Sequence, residues 1–267
     1  MRVKLSCGQA YYGVGSGHPT DDADAIIFLH GAGFDHSVWV MPARYFARHG
    51  LRVLAPDLPA HGRSDGPALR TIEAMADWVA ELVGELVPSH VKTTLVGHSL
   101  GSLVTLAAAD RHVSLIDQIC LLGASAPMPV GPPLLNAAKD NHHAAFEMAN
   151  TWSHSTVGRM GASQNPGLSN FVSGERWLEQ MGDDTYHADL AACHAYQRGP
   201  SALAQRSLVI VGGADKMTAA KSGLKVAEVV GAEQTVVLEG SGHAMLSEQP
   251  NQVLDALRNF VQVSKDG

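Results

Sequence analysis

The sequence lacks the features that mark membrane, secreted and nucleic-acid-binding proteins. No apolar run among its 267 residues is as long as a membrane span, and no secretory signal with a small-residue cleavage site is visible near Met1. Lys and Arg number 19 against 26 Asp and Glu, a formal net charge of −7. Without a basic excess, nothing in the charge favours a nucleic acid or an anionic membrane as partner. We therefore expect a cytoplasmic protein with neither kind of partner.

Cysteine is also scarce, and histidine is not arranged for metal binding. The three cysteines, Cys7, Cys120 and Cys193, are far apart and have no metal-type spacing, so we interpret them as reduced thiols. The fourteen histidines include no HExxH or comparable motif. The sequence therefore predicts no metal and no cofactor.

The apolar residues, 45% of the chain, are arranged as short runs that alternate with helical patterns. This alternation predicts one large α/β domain with a mainly parallel sheet covered by helices on both faces, after a short antiparallel start. The predicted strands cover residues 3–6, 10–14, 25–29, 51–55, 93–96, 116–122, 207–211 and 235–238. The predicted helices between and after them cover residues 38–49, 71–87, 100–109 and 252–263.

One segment interrupts the alternation. It begins with the Pro- and Gly-rich stretch Pro127–Pro133 and continues with helical patterns to about Pro200. We interpret residues 127–200 as a helical cap inserted after the sixth strand, and residues 1–126 and 201–267 as the core.

The stretch Gly97-His98-Ser99-Leu100-Gly101 lies between a predicted strand and a predicted helix. This pattern is typical of a nucleophile elbow, a sharp turn that exposes a serine hydroxyl above the sheet. A side chain at either flanking glycine would collide with the adjoining strand and helix. Leu100 would open the helix with its backbone N–H directed toward a substrate oxyanion.

Other polar stretches follow the carboxyl ends of predicted strands, where open α/β sheets place their sites. Asp215 follows strand 207–211, and His243 follows the last strand, so a serine, a carboxylate and a histidine occur in the order known for such elbows. His30-Gly31-Ala32-Gly33-Phe34 follows the third strand and can supply a second oxyanion N–H, from Ala32. We interpret residues 57–65, DLPAHGRSD, as a tight structural loop, in which His61 and Arg63 bond within the loop.

Together, the motifs HGAG, DLPAHGRSD, GHSLG, GGADKMT and SGHAMLSEQP resemble those of the α/β-hydrolase superfamily. The resemblance is to its soluble bacterial branch of esterases, lactonases, haloperoxidase-like enzymes and carbon–carbon bond hydrolases. It implies an eight-stranded, mostly parallel sheet with an inserted helical cap. It also implies Ser99 as nucleophile, His243 as general base and then acid, and Asp215 as the carboxylate that orients His243.

The expected reaction is hydrolysis of a small carboxylic ester or lactone through an acyl-Ser99 intermediate, by a monomer or homodimer without a cofactor. Cleavage of a carbon–carbon bond or thioester, acyl transfer, and a non-catalytic sensor role remain alternatives, whereas a serine at the elbow argues against relatives with an aspartate nucleophile. Apolar and aromatic residues of the cap either form an acyl pocket, which is our prediction, or only pack the cap helices together: Met128, Leu134, Phe146, Met148, Trp152, Met160, Trp177 and Tyr196. The predicted substrate contacts are Gly31, Gly33, Phe34, His98, Phe146, Trp152 and Met217, although the His98 side chain could instead face the structure.

Overall fold

The structure is a computed structural model that describes residues 1–140, 143–161, 169–182 and 184–261. Its sheet has eight strands in the order β1-β2-β4-β3-β5-β6-β7-β8. The strands are β1 (Arg2–Leu5), β2 (Gly8–Gly13), β3 (Ala25–Leu29), β4 (Arg52–Pro56), β5 (Thr93–His98), β6 (Gln118–Leu122), β7 (Arg206–Gly212) and β8 (Gln234–Leu238). β1 and β2 pair antiparallel, as do β2 and β4, and all other neighbours are parallel. The predicted α/β fold with an antiparallel start is confirmed.

Helices cover both faces of this sheet. They are α1 (Val40–Arg48), α2 (Ile72–Leu86), α3 (Leu100–Arg111), α4 (Pro132–Lys139), α5 (His143–Ser153), α6 (Thr156–Arg159), α7 (Asn170–Glu179), α8 (Thr185–Ala195), α9 (Ala220–Val230), α10 (Met245–Glu248) and α11 (Pro250–Val261). None of the helices in the described ranges is long and apolar enough to cross a membrane.

The central strands are buried along their whole length because helices pack on both of their faces. Every residue of β3, β5 and β6 is buried, which explains their continuous rather than alternating apolar runs. α2 illustrates how the covering helices begin and which face they bury. Thr71 caps it by accepting a hydrogen bond from the backbone N–H of Ala74 at 3.1 Å, and its apolar stripe faces the sheet.

Five helices, α4 to α8, lie between β6 and β7, and we call them the cap helices. They have a small core of their own, formed by Leu134, Ala138, Ala145, Ala149, Leu178, Tyr186 and Leu190. This core also packs against Ala32 and Met217, which belong to loops after β3 and β7. The cap helices therefore meet the main body at the carboxyl edge of the sheet.

Candidate active site

Ser99 occupies a strained turn between β5 and α3. Its φ is 55° and its ψ is −118°, a conformation that non-glycine residues rarely adopt, and its side chain makes no helix-capping hydrogen bond. A Cβ at Gly97 would overlap the carbonyl oxygen of Gly101, and one at Gly101 would overlap that of Leu29. The turn therefore requires both glycines for steric reasons, as the sequence indicates. The Ser99 hydroxyl is not used to cap α3.

Asp215 and His243 lie side by side after β7 and β8. His243 Nδ1 is 2.8 Å from Asp215 Oδ2, and the Thr218 hydroxyl donates to the same oxygen at 2.8 Å. The other oxygen, Oδ1, accepts the backbone N–H groups of Met217 and Thr218, both at 2.8 Å. Burial acts to raise the pKa of the Asp215 carboxyl, but the charge of His243 and these hydrogen bonds hold it below its ordinary value. Asp215 is therefore an ionised carboxylate whose four acceptor positions are filled.

His98 supports the loop that carries His243. Its Nε2–H donates to the His243 backbone carbonyl at 2.9 Å, and the two rings lie 4.8 Å apart between centroids. Burial, together with the nearby charge of His243, lowers the pKa of His98 to about 3. The ring is thus neutral at ordinary pH. His98 thus supports the structure around His243, and it also borders the same cavity as Ser99; its contact with a substrate stays a prediction.

The backbone N–H groups of Ala32 and of Leu100, the residue after Ser99, have no hydrogen-bond partner among the described residues. The peptide groups around Ala32 are fixed on both sides. The carbonyl of Gly31 accepts a hydrogen bond from His30 Nδ1 at 2.9 Å, and the N–H of Gly33 donates to Asp189 Oδ2 at 3.0 Å. Unpaired N–H groups on a rigid backbone are what an oxyanion hole requires.

Ser99 and His243 open into one cavity of about 680 Å³ beneath the cap helices. Of the predicted site residues, Ala32, Phe34, His98, Trp152 and Met217 line it with them. The lining also includes Met128, Val130, Leu134, Asn150, His154, Trp177, Leu178, Tyr186, Leu190 and Lys216. Lys216 is the one Lys, Arg, Asp or Glu among the described lining residues, and its side chain is exposed. The cavity is therefore mostly apolar.

Several residues predicted to contact substrate or to form the acyl pocket lie elsewhere. Phe146 packs in the core of the cap helices, with its ring 5.7 Å from that of Tyr186. Met148, Met160 and Tyr196 are not among the described lining residues either, and Met160 is 83% exposed. The helical pattern of this segment does not reveal which face of each helix turns toward the cavity.

The site combines a strained serine, a buried histidine–carboxylate pair and the unpaired N–H groups of Ala32 and Leu100. This geometry agrees with a match to a family model. The model, described as "Alpha/beta hydrolase family", matches residues 26–256. The chain belongs to the α/β-hydrolase family.

The relatives of this chain differ in length and in named activity. Protein ABHD8 of Mus musculus is 26% identical over 261 residues, covering 90% of this chain, but the match spans only 55% of that longer protein. A protein of Acinetobacter baylyi named (E)-2-((N-methylformamido)methylene)succinate hydrolase is 23% identical and is matched over 94% of its length and 95% of this chain. Among solved structures, an enol-lactonase from Burkholderia xenovorans aligns with a TM-score of 0.80 and 21% identity over 98% of this chain and 99% of its own. This last likeness shows the fold.

Two carboxylates join the cap helices and α10 to the loops of the candidate site, and no sequence motif pointed to them. Asp189, on α8, bonds both the Gly33 N–H and His61 Nε2, the latter at 2.9 Å. His61 does bond within its own loop as predicted, to the Pro59 carbonyl at 3.0 Å, but the prediction missed its contact with α8. Glu248, on α10, accepts the backbone N–H groups of Gly242 and Ser155 through Oε1, both at 3.2 Å.

Two clusters among the described residues have the spacing of metal ligands. In the first, Asp35, His36 and Asp57, the Asp57 carboxylate already accepts hydrogen bonds from His36 and from the backbone of Arg63. These bonds give His36 a role in holding its loop. The second, His143, Glu147 and Glu175, lies on the outer surface of the cap helices. Neither cluster includes a residue that lines the cavity.

Proposed function

We propose that the protein is a serine hydrolase that cleaves a carboxylic ester or lactone. Ser99 is the nucleophile, His243 the general base and then acid, and Asp215 the carboxylate that orients His243. The observation that supports this most is the buried Asp215–His243 pair, joined at 2.8 Å, which borders the same cavity as the strained Ser99. Residues 127–200 serve as the cap that covers this site.

The arrangement supports each step of a two-stage reaction. Asp215 accepts a hydrogen bond from the Nδ1–H group of His243. The other ring nitrogen, Nε2, is therefore unprotonated and can accept the proton of Ser99. Ser99 Oγ then attacks the substrate carbonyl carbon, and the backbone N–H groups of Ala32 and Leu100 donate to the developing oxyanion.

The tetrahedral intermediate collapses when the C–O bond to the alcohol breaks and protonated His243 gives its proton to the leaving oxygen. A water molecule, deprotonated by His243, next attacks the acyl-Ser99 carbonyl. The bond between the acyl carbon and Ser99 Oγ then breaks, and His243 returns its proton to Oγ, which leaves the carboxylic acid and regenerated Ser99. A lactone follows the same steps, except that its leaving hydroxyl stays attached to the acyl group.

The cavity favours a neutral substrate with a sizeable apolar acyl part. Its volume of about 680 Å³ lies in the range of pockets for drug-sized molecules. Its described walls come largely from side chains such as Leu134, Trp177 and Leu190, and they hold one cationic group, the exposed Lys216. A succinate derivative, as in the name of the Acinetobacter relative, would bring carboxylate groups that need several charged partners. We therefore favour monoacyl esters and apolar lactones.

Fluorophosphonate labelling tests the nucleophile, and an ester panel tests the substrate class. We expect a covalent adduct on Ser99 that is absent in the Ser99→Ala protein. We also expect the turnover of aryl esters to rise with acyl length until the acyl group fills the cavity. Equal labelling of the Ser99→Ala protein would refute the role of Ser99. Labelling without turnover of any ester or lactone would instead favour acyl transfer, carbon–carbon or thioester cleavage, or a sensor role.

A further inference from the structure

We infer that Asp189 and His61 form a buried ion pair that positions the oxyanion loop, residues 30–34, from the side of the cap helices. The inference deepens the proposed function, because it assigns positioning residues to the same site. It rests on the contacts that Asp189 and His30 make with the peptide groups on either side of Ala32, and on the contact between Asp189 and His61.

His61 must carry a proton on each ring nitrogen. Nδ1 faces the Pro59 carbonyl at 3.0 Å, and Nε2 faces Asp189 Oδ2 at 2.9 Å. A carbonyl and a carboxylate both accept, so both nitrogens donate and the ring is an imidazolium. The side chains of His61 and Asp189 are 1% and 0% exposed, so the pair is shielded from water.

Asp189 fixes one side of the oxyanion loop directly. The oxygen that accepts from His61, Oδ2, also accepts the Gly33 N–H at 3.0 Å. The second carboxylate oxygen, Oδ1, is buried and has no partner among the described residues. Burying a carboxylate in this way costs stability unless it is well paired. A role in function explains why this destabilising carboxylate is buried against the oxyanion loop.

His30 fixes the other side. Its Nε2 accepts the Leu58 N–H at 3.1 Å, so Nδ1 carries the proton and donates to the Gly31 carbonyl at 2.9 Å. The C=O of Gly31 and the N–H of Ala32 belong to one trans peptide and point in opposite directions. Fixing this carbonyl therefore fixes the direction of the Ala32 N–H, which the proposed mechanism uses.

The charge of His61 also acts on His30, since the two rings lie 4.9 Å apart between centroids. Burial first, and then the charge of His61, lower the pKa of His30 to about 4, which keeps its ring neutral and its hydrogen bonds as described. Burial alone would lower the pKa of His61, but Asp189, the Pro59 carbonyl and Asp57 raise it above its ordinary value. The titratable groups facing His61 are thus Asp189 on α8, Asp57 in its own loop and His30 after β3.

Asp189→Asn tests the pair at nearly constant volume. An amide presents only one oxygen, so either Gly33 loses its acceptor or the NH2 group takes the buried Oδ1 position without a partner. We expect kcat on an aryl ester to fall about tenfold to a hundredfold with little change in KM, less than the full loss of an oxyanion donor. Asp184→Asn removes an exposed carboxylate at the start of the same helix, and its kcat should equal that of the unaltered protein.

A merely structural role would not change binding of transition-state mimics or the pH profile. A trifluoromethyl ketone places an oxyanion in the hole, so its affinity should fall in Asp189→Asn by the same factor as kcat. Because His61 loses its proton as pH rises, kcat of the unaltered protein should fall on an alkaline limb that is absent in His61→Gln. The His61→Gln protein supplies the same tests if Asp189→Asn does not fold.

Unchanged kcat and unchanged ketone affinity in the folded variants would overturn the inference, as would an identical alkaline limb in His61→Gln. These failures are distinct from failure of the proposed function, which would show as absence of fluorophosphonate labelling at Ser99 in the unaltered protein.

Discussion

Asp215→Asn is the substitution whose effect follows most directly from the hydrogen bonds of the site. The carboxylate has two kinds of neighbour. Oδ1 accepts the backbone N–H groups of Met217 and Thr218, and Oδ2 faces His243 Nδ1 and the Thr218 hydroxyl. Backbone N–H groups cannot become acceptors. The amide oxygen of an asparagine must therefore take the Oδ1 position, and its NH2 group must face His243.

This orientation reverses the tautomer of His243. With an amide donor opposite it, Nδ1 becomes an acceptor and the ring proton moves to Nε2, which can then no longer take a proton from Ser99. The comparable carboxylate-to-amide change in a serine protease lowers kcat about 10⁴-fold. At ~1.4 kcal/mol for each factor of ten, that is roughly 5.5 kcal/mol of transition-state stabilisation.

The assay is steady-state hydrolysis of an aryl ester at pH 7, with fluorophosphonate labelling rates as a second measure. Asp255→Asn, the same change at an exposed side chain on α11, serves as the matched control and should leave kcat unchanged. A fall of less than about tenfold in a folded Asp215→Asn protein would refute the assignment, because no tautomer shift of the base is compatible with nearly full activity.

Two further predictions concern stability. Burial keeps the pKa of His98 at about 3 in the folded protein, against an ordinary 6.5 in the unfolded chain. Below pH 6.5, His98 should therefore lower the free energy of unfolding by ~1.4 kcal/mol for each pH unit. Urea titrations between pH 7 and 5 should show a shallower slope for His98→Gln, and equal slopes would contradict the buried neutral ring. Gly97→Ala should destabilise by ~3 kcal/mol or more because its Cβ would overlap backbone. Gly84→Ala, in open space on α2, should stabilise by up to ~1 kcal/mol, and similar thermal midpoints for the two variants would refute the steric account.

The main body and the elbow could be predicted because their signals are local. Continuous apolar runs mark buried parallel strands, and polar residues directly after those runs must meet at one edge of the sheet. Asp215 and His243 each follow such a run, and in the structure the two runs form the neighbouring strands β7 and β8, whose ends bring the two side chains together. The need for glycine on both sides of Ser99 could also be predicted, because the steric conflict that excludes a side chain there is local to the turn.

The cap could be predicted only as a set of helices. α8 is buried on most of its surface, so no amphipathic stripe shows which side chains face the cavity, the main body or the other cap helices. Phe146 illustrates the consequence, since it packs on Tyr186 rather than lining the cavity. Asp189 illustrates it more strongly: its partner His61 is 128 positions away along the chain, and no motif connects them.

The contacts that escaped prediction also bind the cap helices to the candidate catalytic loops. Asp189 holds the loop that carries Ala32, while the Ser153 carbonyl at the end of α5 accepts the Ala244 N–H at 2.8 Å, next to His243. The segment that we propose covers the substrate site is therefore also part of the support for the proposed reacting groups. A substitution in the cap that moves α8 or the end of α5 should change kcat as well as specificity.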